Sequence, residues 1–163
     1  MNMIVAADKN WGIGRNGDLL TNLPGDLKYF KERTLGKVVV MGRKTLESLP
    51  GGKPLPGRTN IVLTGNRDFV QEGCTVVHSI EEMRAECSKY EPDNVMLIGG
   101  AMLYNLLMEE CESLFITKMD GEFEADVFIK NADELSDYKI VWQSEIQEEN
   151  GIKYQFLEYK REK

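Results

Sequence analysis

Asp26 is an acidic residue placed beside apolar ones, in the segment LPGDLKYF at positions 23–30. Pro24 favours the first turn of a helix, and a carboxylate in that turn interacts well with the helix dipole. At about 100° per residue, Asp26, Leu27 and Phe30 would share one helix face. The segment fits two roles for Asp26 equally well. The residue could simply cap the helix, or its carboxylate could lie at the floor of an apolar pocket, where its oxygens could bind an amidine-like N–H pair of a flat heterocycle.

Two junctions between a strand and a helix carry residues that suit a phosphate group. The segment GRKT at positions 42–45 combines backbone N–H groups, a hydroxyl and two cations. The segment IGGA at positions 98–101 has paired glycines, which let a ligand or another strand approach the backbone. The segment at positions 42–45 is equally compatible with an ordinary basic turn, and the segment at positions 98–101 with tight packing of a helix on a strand. Arg58 and His78, taken alone, are ordinary surface residues.

A third glycine-rich segment matches a dinucleotide fingerprint but lacks its helix. GIGRNG at positions 12–17 has the spacing G-x-G-x-x-G and follows a strand. The fingerprint also needs a helix that begins at the third glycine. Gly17 instead leads into DLLTNLP, so we reject a standard Rossmann site. The glycines predict a mobile loop whose backbone can approach a ligand closely.

The scarcity of histidine and cysteine excludes several kinds of site. His78 is the single histidine, so a zinc site built on several histidines is impossible and we expect no metal. A serine or cysteine nucleophile would have only His78 as its imidazole base. Cys74, Cys87 and Cys111 form no C-x-x-C pair, and we expect three reduced thiols.

Length and charge indicate one acidic domain. The chain has 163 residues, which predicts a single domain over residues 1–163. No apolar run approaches the roughly 20 residues that cross a membrane, and the N-terminus lacks a signal-peptide pattern, so we expect a cytoplasmic protein without membrane contact. The net charge of −7 argues against nucleic acid as a partner but permits an anionic small ligand.

Apolar β-branched runs alternate with amphipathic stretches, which indicates an α/β fold with parallel crossovers. Two strand-like runs flank Asn150–Gly151 and predict a C-terminal antiparallel hairpin. We therefore expect a mixed, mostly parallel central sheet of about eight strands with about four flanking helices. The predicted strands cover residues 3–8, 37–42, 59–64, 74–79, 94–100, 114–119, 138–147 and 152–160, and the predicted helices cover 26–34, 44–49, 80–88 and 101–110.

Six segments in order identify a known family. They are VAAD, GIGRNGDLLTNLPGDLKYFKERT, VVVMGRKTLES, LPGRTNIVLT, MLIGGAMLY and ITKMDGEFEAD. Together they resemble the bacterial type of the dihydrofolate reductase family, from Met3 to the terminal hairpin. The resemblance implies the single-domain dihydrofolate-reductase-like fold and a monomer that reduces 7,8-dihydrofolate to 5,6,7,8-tetrahydrofolate by hydride transfer from NADPH. Such an enzyme supports one-carbon metabolism and thymidylate and purine synthesis, and antifolate inhibitors bind it.

The resemblance also implies roles for residues of this chain. Asp26 would be catalytic, Thr117 would support it by hydrogen bonding, and Arg58 would pair with the α-carboxylate of the glutamate tail. The other substrate contacts would be Val5, Ala6, Leu27, Phe30 and Leu49. The nicotinamide would lie by Ala7, Ile13, Gly14, Arg15, Asn16, Gly17 and Asp18. The phosphates and adenosine would lie by Gly42, Arg43, Lys44, Thr45, Thr64, Gly99, Gly100, Ala101, Met102, Leu103 and Tyr104, and Leu19, Leu63, His78 and Ile98 complete the cofactor set.

The implied reaction sets the task of Asp26. Hydride would reach C6 of the pterin while N5 gains a proton, with the cofactor supplying the hydride. Apolar surroundings should raise the pKa of Asp26, because burial disfavours the charged form. We hypothesise that water delivers the proton to N5 while Asp26 orients the ring and biases its protonation, since the family binds the ring's amino side there, away from N5.

Three departures from the family pattern bear on these expectations. Leu20-Thr21 replaces the usual proline-tryptophan pair, which predicts a wetter or wider pocket. Gly65 stands where an arginine often binds the 2′-phosphate, and Ala125 and Lys130 replace a glycine and a proline. Any one of Arg43, Lys44, Arg67 or His78 could bind the 2′-phosphate in place of that arginine.

Two other functions stay open on the sequence alone. One is the reduction of a ribosylated pyrimidine in riboflavin synthesis on the same fold, which would not be expected to show the LPGDL acid or the Arg58 position. The other is noncatalytic binding of folate or a nucleotide, which the missing tryptophan motivates. An assay of NADPH absorbance distinguishes these functions. The absorbance should fall on adding dihydrofolate for a dihydrofolate reductase and on adding the pyrimidine for a pyrimidine reductase, and binding without turnover would favour the noncatalytic protein.

Overall fold

Within residues 1–162, which the computed structural model describes, the chain forms eleven strands and four α-helices. The strands are β1 (Asn2–Ala7), β2 (Gly12–Gly14), β3 (Val38–Gly42), β4 (Thr59–Leu63), β5 (Cys74–Val77), β6 (Val95–Gly99), β7 (Ser113–Asp120), β8 (Val127–Phe128), β9 (Tyr138–Gln143), β10 (Gln147–Glu149) and β11 (Ile152–Arg161). The helices are α1 (Pro24–Thr34), α2 (Arg43–Ser48), α3 (Ile80–Cys87) and α4 (Ala101–Leu107). None of the helices in this part of the chain is long and apolar enough to span a membrane.

Nine strands form one central sheet in the order β10-β11-β7-β1-β6-β3-β4-β5, with β9 also paired to β11. The six strands from β7 to β5 in this order are parallel to one another, and β11 runs antiparallel to β7, β9 and β10. The structure thus confirms the mixed, mostly parallel sheet with an antiparallel C-terminal end.

The central strands are apolar on both faces because helices cover both sides of the sheet. Successive side chains of a strand point to opposite faces. On β3, Val38 and Val40 pack in one cluster with side chains from α3 and α4. Val39 and Met41 pack in the other cluster with side chains from α1 and α2. This two-sided burial explains the continuous apolar runs in the sequence, and it places α1 and α2 on the same side of the sheet.

Three features differ from the sequence-based prediction. The segment predicted as a mobile loop contains β2, which pairs with β8 in a separate two-stranded sheet. These strands have three and two residues, too few to show an alternating pattern. The predicted strand 138–147 is divided, because the side chain and backbone of Ser144 bond to Phe156 between β9 and β10. Helix α4 ends at Leu107, and a single 3-10 turn covers Met108–Glu110.

The buried carboxylate of Asp8 joins the end of β1 to the start of β2 and to the segment before β8. Its Oδ1 accepts hydrogen bonds from the Asn10 and Gly12 backbone N–H groups at 2.9 and 2.8 Å. Its Oδ2 accepts one from the Phe123 N–H at 3.3 Å. Position 12 has no room for a side chain, since a methyl group there would lie 2.3 Å from the Ala125 Cβ. Asp8 therefore fixes the base of the loop that follows β2.

We expect Asp8→Ala to lower the free energy of unfolding by about 3 kcal/mol, because three backbone donors would lose a charged acceptor. Urea denaturation followed by circular dichroism measures this change. The matched control is Asp120→Ala, an exposed aspartate at the end of β7, for which the change should stay within about 0.5 kcal/mol. Equal losses in the two variants would contradict the structural role of Asp8.

Candidate active site

The side chain of Asp26 reaches from the first turn of α1 to strand β7. Its Oδ1 accepts a 2.6 Å hydrogen bond from the hydroxyl of Thr117, which is buried. Thr117 lies opposite Ala6 in the parallel pair of β1 and β7. Ala6 and its neighbour Val5 are partly buried. Four of the expected substrate-site residues therefore come together over the two central strands.

Burial raises the pKa of Asp26 above its ordinary value, because desolvation disfavours the charged form. The Thr117 hydrogen bond lowers the pKa, and the negative charge of Glu149 raises it further. Desolvation is the largest of the three effects. Asp26 therefore keeps its proton to a higher pH than an exposed aspartate, which suits a group that shares a proton with a bound ring.

The apolar side chains that the sequence assigns to the site differ in their exposure. Phe30 and Leu49 are partly buried against the cluster that α1 and α2 cover. Leu27 is 51% exposed, and Leu19 and Met102 are 69% and 74% exposed. Exposed side chains of this size offer apolar surface to a ligand, whereas Phe30 and Leu49 pack inward against the sheet.

Arg58 is held by the end of α1 that lies opposite Asp26 along the helix. Its Nε donates to Thr34 Oγ1 at 3.1 Å, and its Nη1 donates to the Pro56 carbonyl at 2.8 Å. The Thr34 hydroxyl in turn donates to the Phe30 carbonyl at 2.8 Å. These bonds fix the plane of the guanidinium through two of its nitrogens, and its Nη2 group remains for a ligand.

The two phosphate-type junctions lie side by side at one edge of the sheet. Strands β3 and β6 are parallel neighbours, so the N-termini of α2 and α4, which follow them, are adjacent. Gly42 and Gly100 are the N-cap residues of these helices and have no side chain to occupy the first N–H groups. The peptide bond between Gly99 and Gly100 is cis. A methyl group on Gly99 would lie 2.9 Å from the Thr45 hydroxyl, so both segments meet there.

Part of the expected cofactor set lies in the core. Leu103 and Tyr104 are buried on α4, and the Tyr104 hydroxyl donates to the Ile4 carbonyl at 2.8 Å. Ala7 and Ile98 are buried at the ends of their strands. These four residues support the edge of the site from within, while Ala101 is partly buried at the start of α4.

The loop at residues 13–19 is attached to the segment before β8. The Asn16 N–H donates to Asp126 Oδ2 at 3.0 Å. Arg15 forms a 3.0 Å ion pair with Glu124. Ile13 and Gly14 are partly buried, and the exposed residues of the loop are Arg15, Asn16, Gly17, Asp18 and Leu19. The two-stranded sheet thus holds a loop whose tip is open to a ligand.

Gly65 leaves an open, uncharged position just after β4, where a methyl group would meet nothing within 4 Å. His78 Nδ1 lies 2.9 Å from the Thr64 carbonyl. Arg43 stacks on the Phe69 ring, with its Cζ 4.4 Å from the centroid. The remaining expected residues here are Lys44 and Arg67, which are exposed, and Leu63, which is partly buried.

Three residues near Asp26 are ones that the sequence analysis did not assign to the site: Tyr29, Glu149 and Tyr154. Tyr29 follows Asp26 by three positions on α1, and its buried hydroxyl has no hydrogen-bond partner among the described residues. Helical spacing could have indicated Tyr29. No local signal could indicate Glu149, whose carboxylate accepts a hydrogen bond from Gly25, 124 positions away. Thr21, in place of the usual tryptophan, donates to the Met119 sulfur at 3.2 Å.

The chain matches known proteins over nearly its whole length. The family model described as "Dihydrofolate reductase" matches residues 1–161. Dihydrofolate reductase of Bacillus subtilis (strain 168) is 42% identical, over 99% of this chain and 94% of that protein. Dihydrofolate reductase of Enterococcus faecium is 37% identical, over 96% of this chain and 93% of that protein. A solved structure of dihydrofolate reductase from Enterococcus faecalis, complexed with NADP(H) and RAB-propyl, superposes with a TM-score of 0.88 at 38% identity, covering 99% of this chain and 96% of that chain.

We expect Thr117→Val to raise the pKa of Asp26 further, because the hydroxyl stabilises the charged carboxylate and valine cannot. A ¹³C titration of the Asp26 carboxyl, identified by its loss in Asp26→Asn, measures this pKa. Thr75→Val, an exposed threonine on β5, is the matched control and should leave the titration midpoint in place. A midpoint that falls or stays unchanged in Thr117→Val would show that the hydrogen bond does not act on Asp26.

Proposed function

The chain belongs to the dihydrofolate reductase family, and on that premise we propose that Asp26, supported by Thr117, is the group that binds the pterin ring. The protein is an oxidoreductase that reduces dihydrofolate to tetrahydrofolate with NADPH, and it binds small-molecule substrates and inhibitors. Family membership decides against the pyrimidine reductase and the noncatalytic binding protein. The observation that carries the proposed role is the 2.6 Å hydrogen bond from Thr117 to a carboxylate with a raised pKa.

The proposed substrate lies along α1, with its ring over Asp26 and its glutamate tail at Arg58. Asp26 keeps lone pairs for an N–H pair of the ring, since Thr117 occupies only one. Arg58 is bound to Thr34, eight residues after Asp26, which corresponds to about 12 Å of helix. This length and the apolar side chains between suit a molecule with a polar ring at one end and a carboxylate at the other. Leu27, Phe30 and Leu49 would then contact its middle part.

NADPH supplies the hydride when it is bound. Its phosphates fit the paired junctions, because the glycine N-caps Gly42 and Gly100 leave backbone N–H groups free to bind oxygens. Residues 13–19 and Ala7 would flank the nicotinamide. Beside the uncharged Gly65, Thr64 and His78 offer a hydroxyl and a ring nitrogen, which supports them as contacts of the 2′-phosphate.

Asp26 orients the ring and raises its tendency to accept a proton at N5, and water delivers that proton. The carboxyl is protonated to a higher pH than usual because its surroundings are dry. Because N5 must gain a proton, the rate of hydride transfer falls as the pH rises through the titration of this site.

We further propose that residues 1–163 form one reductase domain that works as a cytoplasmic monomer, without nucleic acid or membrane as a partner. The family match over residues 1–161 supports a single domain. The free thiols of Cys74, Cys87 and Cys111 are usual in a reducing compartment. The net charge of −7 disfavours contact with nucleic acid.

We expect Asp26→Asn to slow hydride transfer at neutral pH by about 100-fold or more, while NADPH still binds. Single-turnover loss of NADPH absorbance on adding dihydrofolate measures the step, and fluorescence titration measures cofactor binding. Asp93→Asn, an exposed aspartate far along the chain, should keep the wild-type rate. Wild-type hydride transfer in Asp26→Asn would show that the role assigned to Asp26 is wrong.

We expect Arg58→Lys to raise the KM for dihydrofolate about tenfold with a nearly unchanged kcat, because lysine cannot make the planar bidentate pair with a carboxylate. Steady-state kinetics measure both constants. The matched control is a dihydropterin without the glutamate tail, for which the variant and the wild type should have the same kinetics. An equal rise in KM for the substrate without a tail would show that Arg58 does not bind the glutamate tail.

A further inference from the structure

Helix α1 carries Asp26 in its first turn but lacks a local cap. The N-cap position is Leu23, whose apolar side chain cannot accept a hydrogen bond from the first N–H groups. The backbone N–H of Gly25 instead donates to Glu149 Oε1 at 2.8 Å. Glu149 belongs to β10, so a carboxylate from the C-terminal hairpin replaces the missing cap.

Tyr154 on β11 donates a second hydrogen bond to this carboxylate. Its hydroxyl donates to the same Oε1 atom at 2.6 Å, and its side chain is 3% exposed. Desolvation, together with the bond to Glu149, raises the pKa of Tyr154, so the hydroxyl remains a neutral donor. Position 25 must be glycine for Glu149 and Tyr154 to approach the helix this closely. A methyl group there would lie 2.4 Å from the Tyr154 hydroxyl and 2.8 Å from Glu149 Oε1.

The hairpin contacts the start of α1 at two further points. Asn150 Nδ2 donates to the Asn22 carbonyl at 3.3 Å. Leu23 packs with Met119 and Tyr154 in a small buried cluster. The turn that carries Asp26 is therefore attached to β10 and β11 through polar and apolar contacts, and Glu149 is the charged member of this attachment.

We propose that Glu149 is a positioning residue for the reduction, which fixes the first turn of α1 through the Gly25 N–H and places a negative charge beside Asp26. This inference rests on the proposed role of Asp26 and goes beyond it. Glu149 does not touch the reacting atoms, and it acts on them only through the helix turn and through the electrostatic field at Asp26.

Glu149 brings a negative charge to the residue before Asp26, because its carboxylate accepts from the Gly25 N–H. Its negative charge raises the pKa of Asp26, because a like charge disfavours ionisation. The other titratable groups coupled to Asp26 are Tyr29 on α1, Tyr104 on α4 and Tyr154 on β11, whose pKa values are all raised. These tyrosines are neutral at physiological pH. Arg33 and Glu158 lie farther along, where their charges act on Tyr29.

The test compares two single-charge changes on the same strand. Glu149→Gln keeps an oxygen that can accept from Gly25 and Tyr154 but removes the charge. Glu148→Gln changes the net charge by the same amount, at an exposed residue paired across the hairpin with Lys153. Both are compared with the wild type in the NADPH complex, by the pH profile of single-turnover hydride transfer and by the ¹³C titration of Asp26.

We expect Glu149→Gln to move both midpoints to lower pH by about 0.5 unit. The reason is that removing a neighbouring negative charge makes Asp26 easier to ionise. Glu148→Gln should produce less than half of this shift, because solvent and salt screen an exposed charge. Equal shifts in the two variants, or none in either, would overturn the electrostatic role of Glu149.

Tyr154→Phe tests the positioning role and remains informative if Glu149→Gln does not fold. It keeps the charge of Glu149 but removes the donor that orients it. We expect the low-pH plateau rate to fall several-fold with a smaller change of midpoint than in Glu149→Gln. An unchanged plateau rate in a folded Tyr154→Phe variant would overturn the positioning role.

The role of Asp26 and the role of Glu149 can be disproved separately. If Asp26→Asn kept wild-type hydride transfer, the function proposed for Asp26 itself would fail. If Asp26→Asn lost hydride transfer while Glu149→Gln and Glu148→Gln behaved alike, only the inference about Glu149 would fail.

Discussion

A partly buried acid, bonded to a buried threonine, is the constraint on which the rest of this structure depends. Asp26 loses much of its hydration by burial, and that loss raises its pKa. The Thr117 hydroxyl compensates part of the cost with one short hydrogen bond. Such a group lowers stability at neutral pH relative to a neutral side chain, which is a common feature of functional sites. The surrounding fold must therefore hold Asp26 in place by other contacts.

The sheet topology supplies these contacts from distant parts of the chain. Thr117 lies on β7, which pairs with β1 on one side and with β11 on the other. The central strand β1 provides Ala6 beneath the carboxylate, and the hairpin after β9 provides Glu149 at the start of α1. The N-terminal helix is thus positioned by strands from the middle and the end of the chain. Formation of the site requires long-range contacts, which close only when the whole sheet is assembled.

The sequence predicts those parts of the site that depend on local patterns. Asp26 beside Leu27 and Phe30 shows the helical face, and the glycines at positions 42 and 99–100 mark the strand-to-helix junctions. The order of strands cannot be predicted by such patterns, but the family resemblance supplies it. Strands β2 and β8 are too short for a periodic signal, and Ser144 divides the predicted strand 138–147 through a hydrogen bond with Phe156.

Glu149 shows most clearly why part of the site escapes sequence reasoning. Read locally, it is one acidic residue among several before a turn, and nothing in its neighbourhood links it to Gly25. Only the pairing of β10 with β11, and of β11 with β7, brings it to the first turn of α1. Leu23 indicates only that some partner is needed, since a helix that begins without a local capping side chain must satisfy its N–H groups elsewhere. The partner becomes evident only in three dimensions.

A ligand-bound structure of this protein with NADP⁺ and folate tests the central claim most directly. It should place both carboxylate oxygens of Asp26 within hydrogen-bonding distance of N–H groups on one edge of the pterin ring, with the Thr117 bond retained. An Asp26 side chain turned into solvent, with the ring bound elsewhere, would contradict the account.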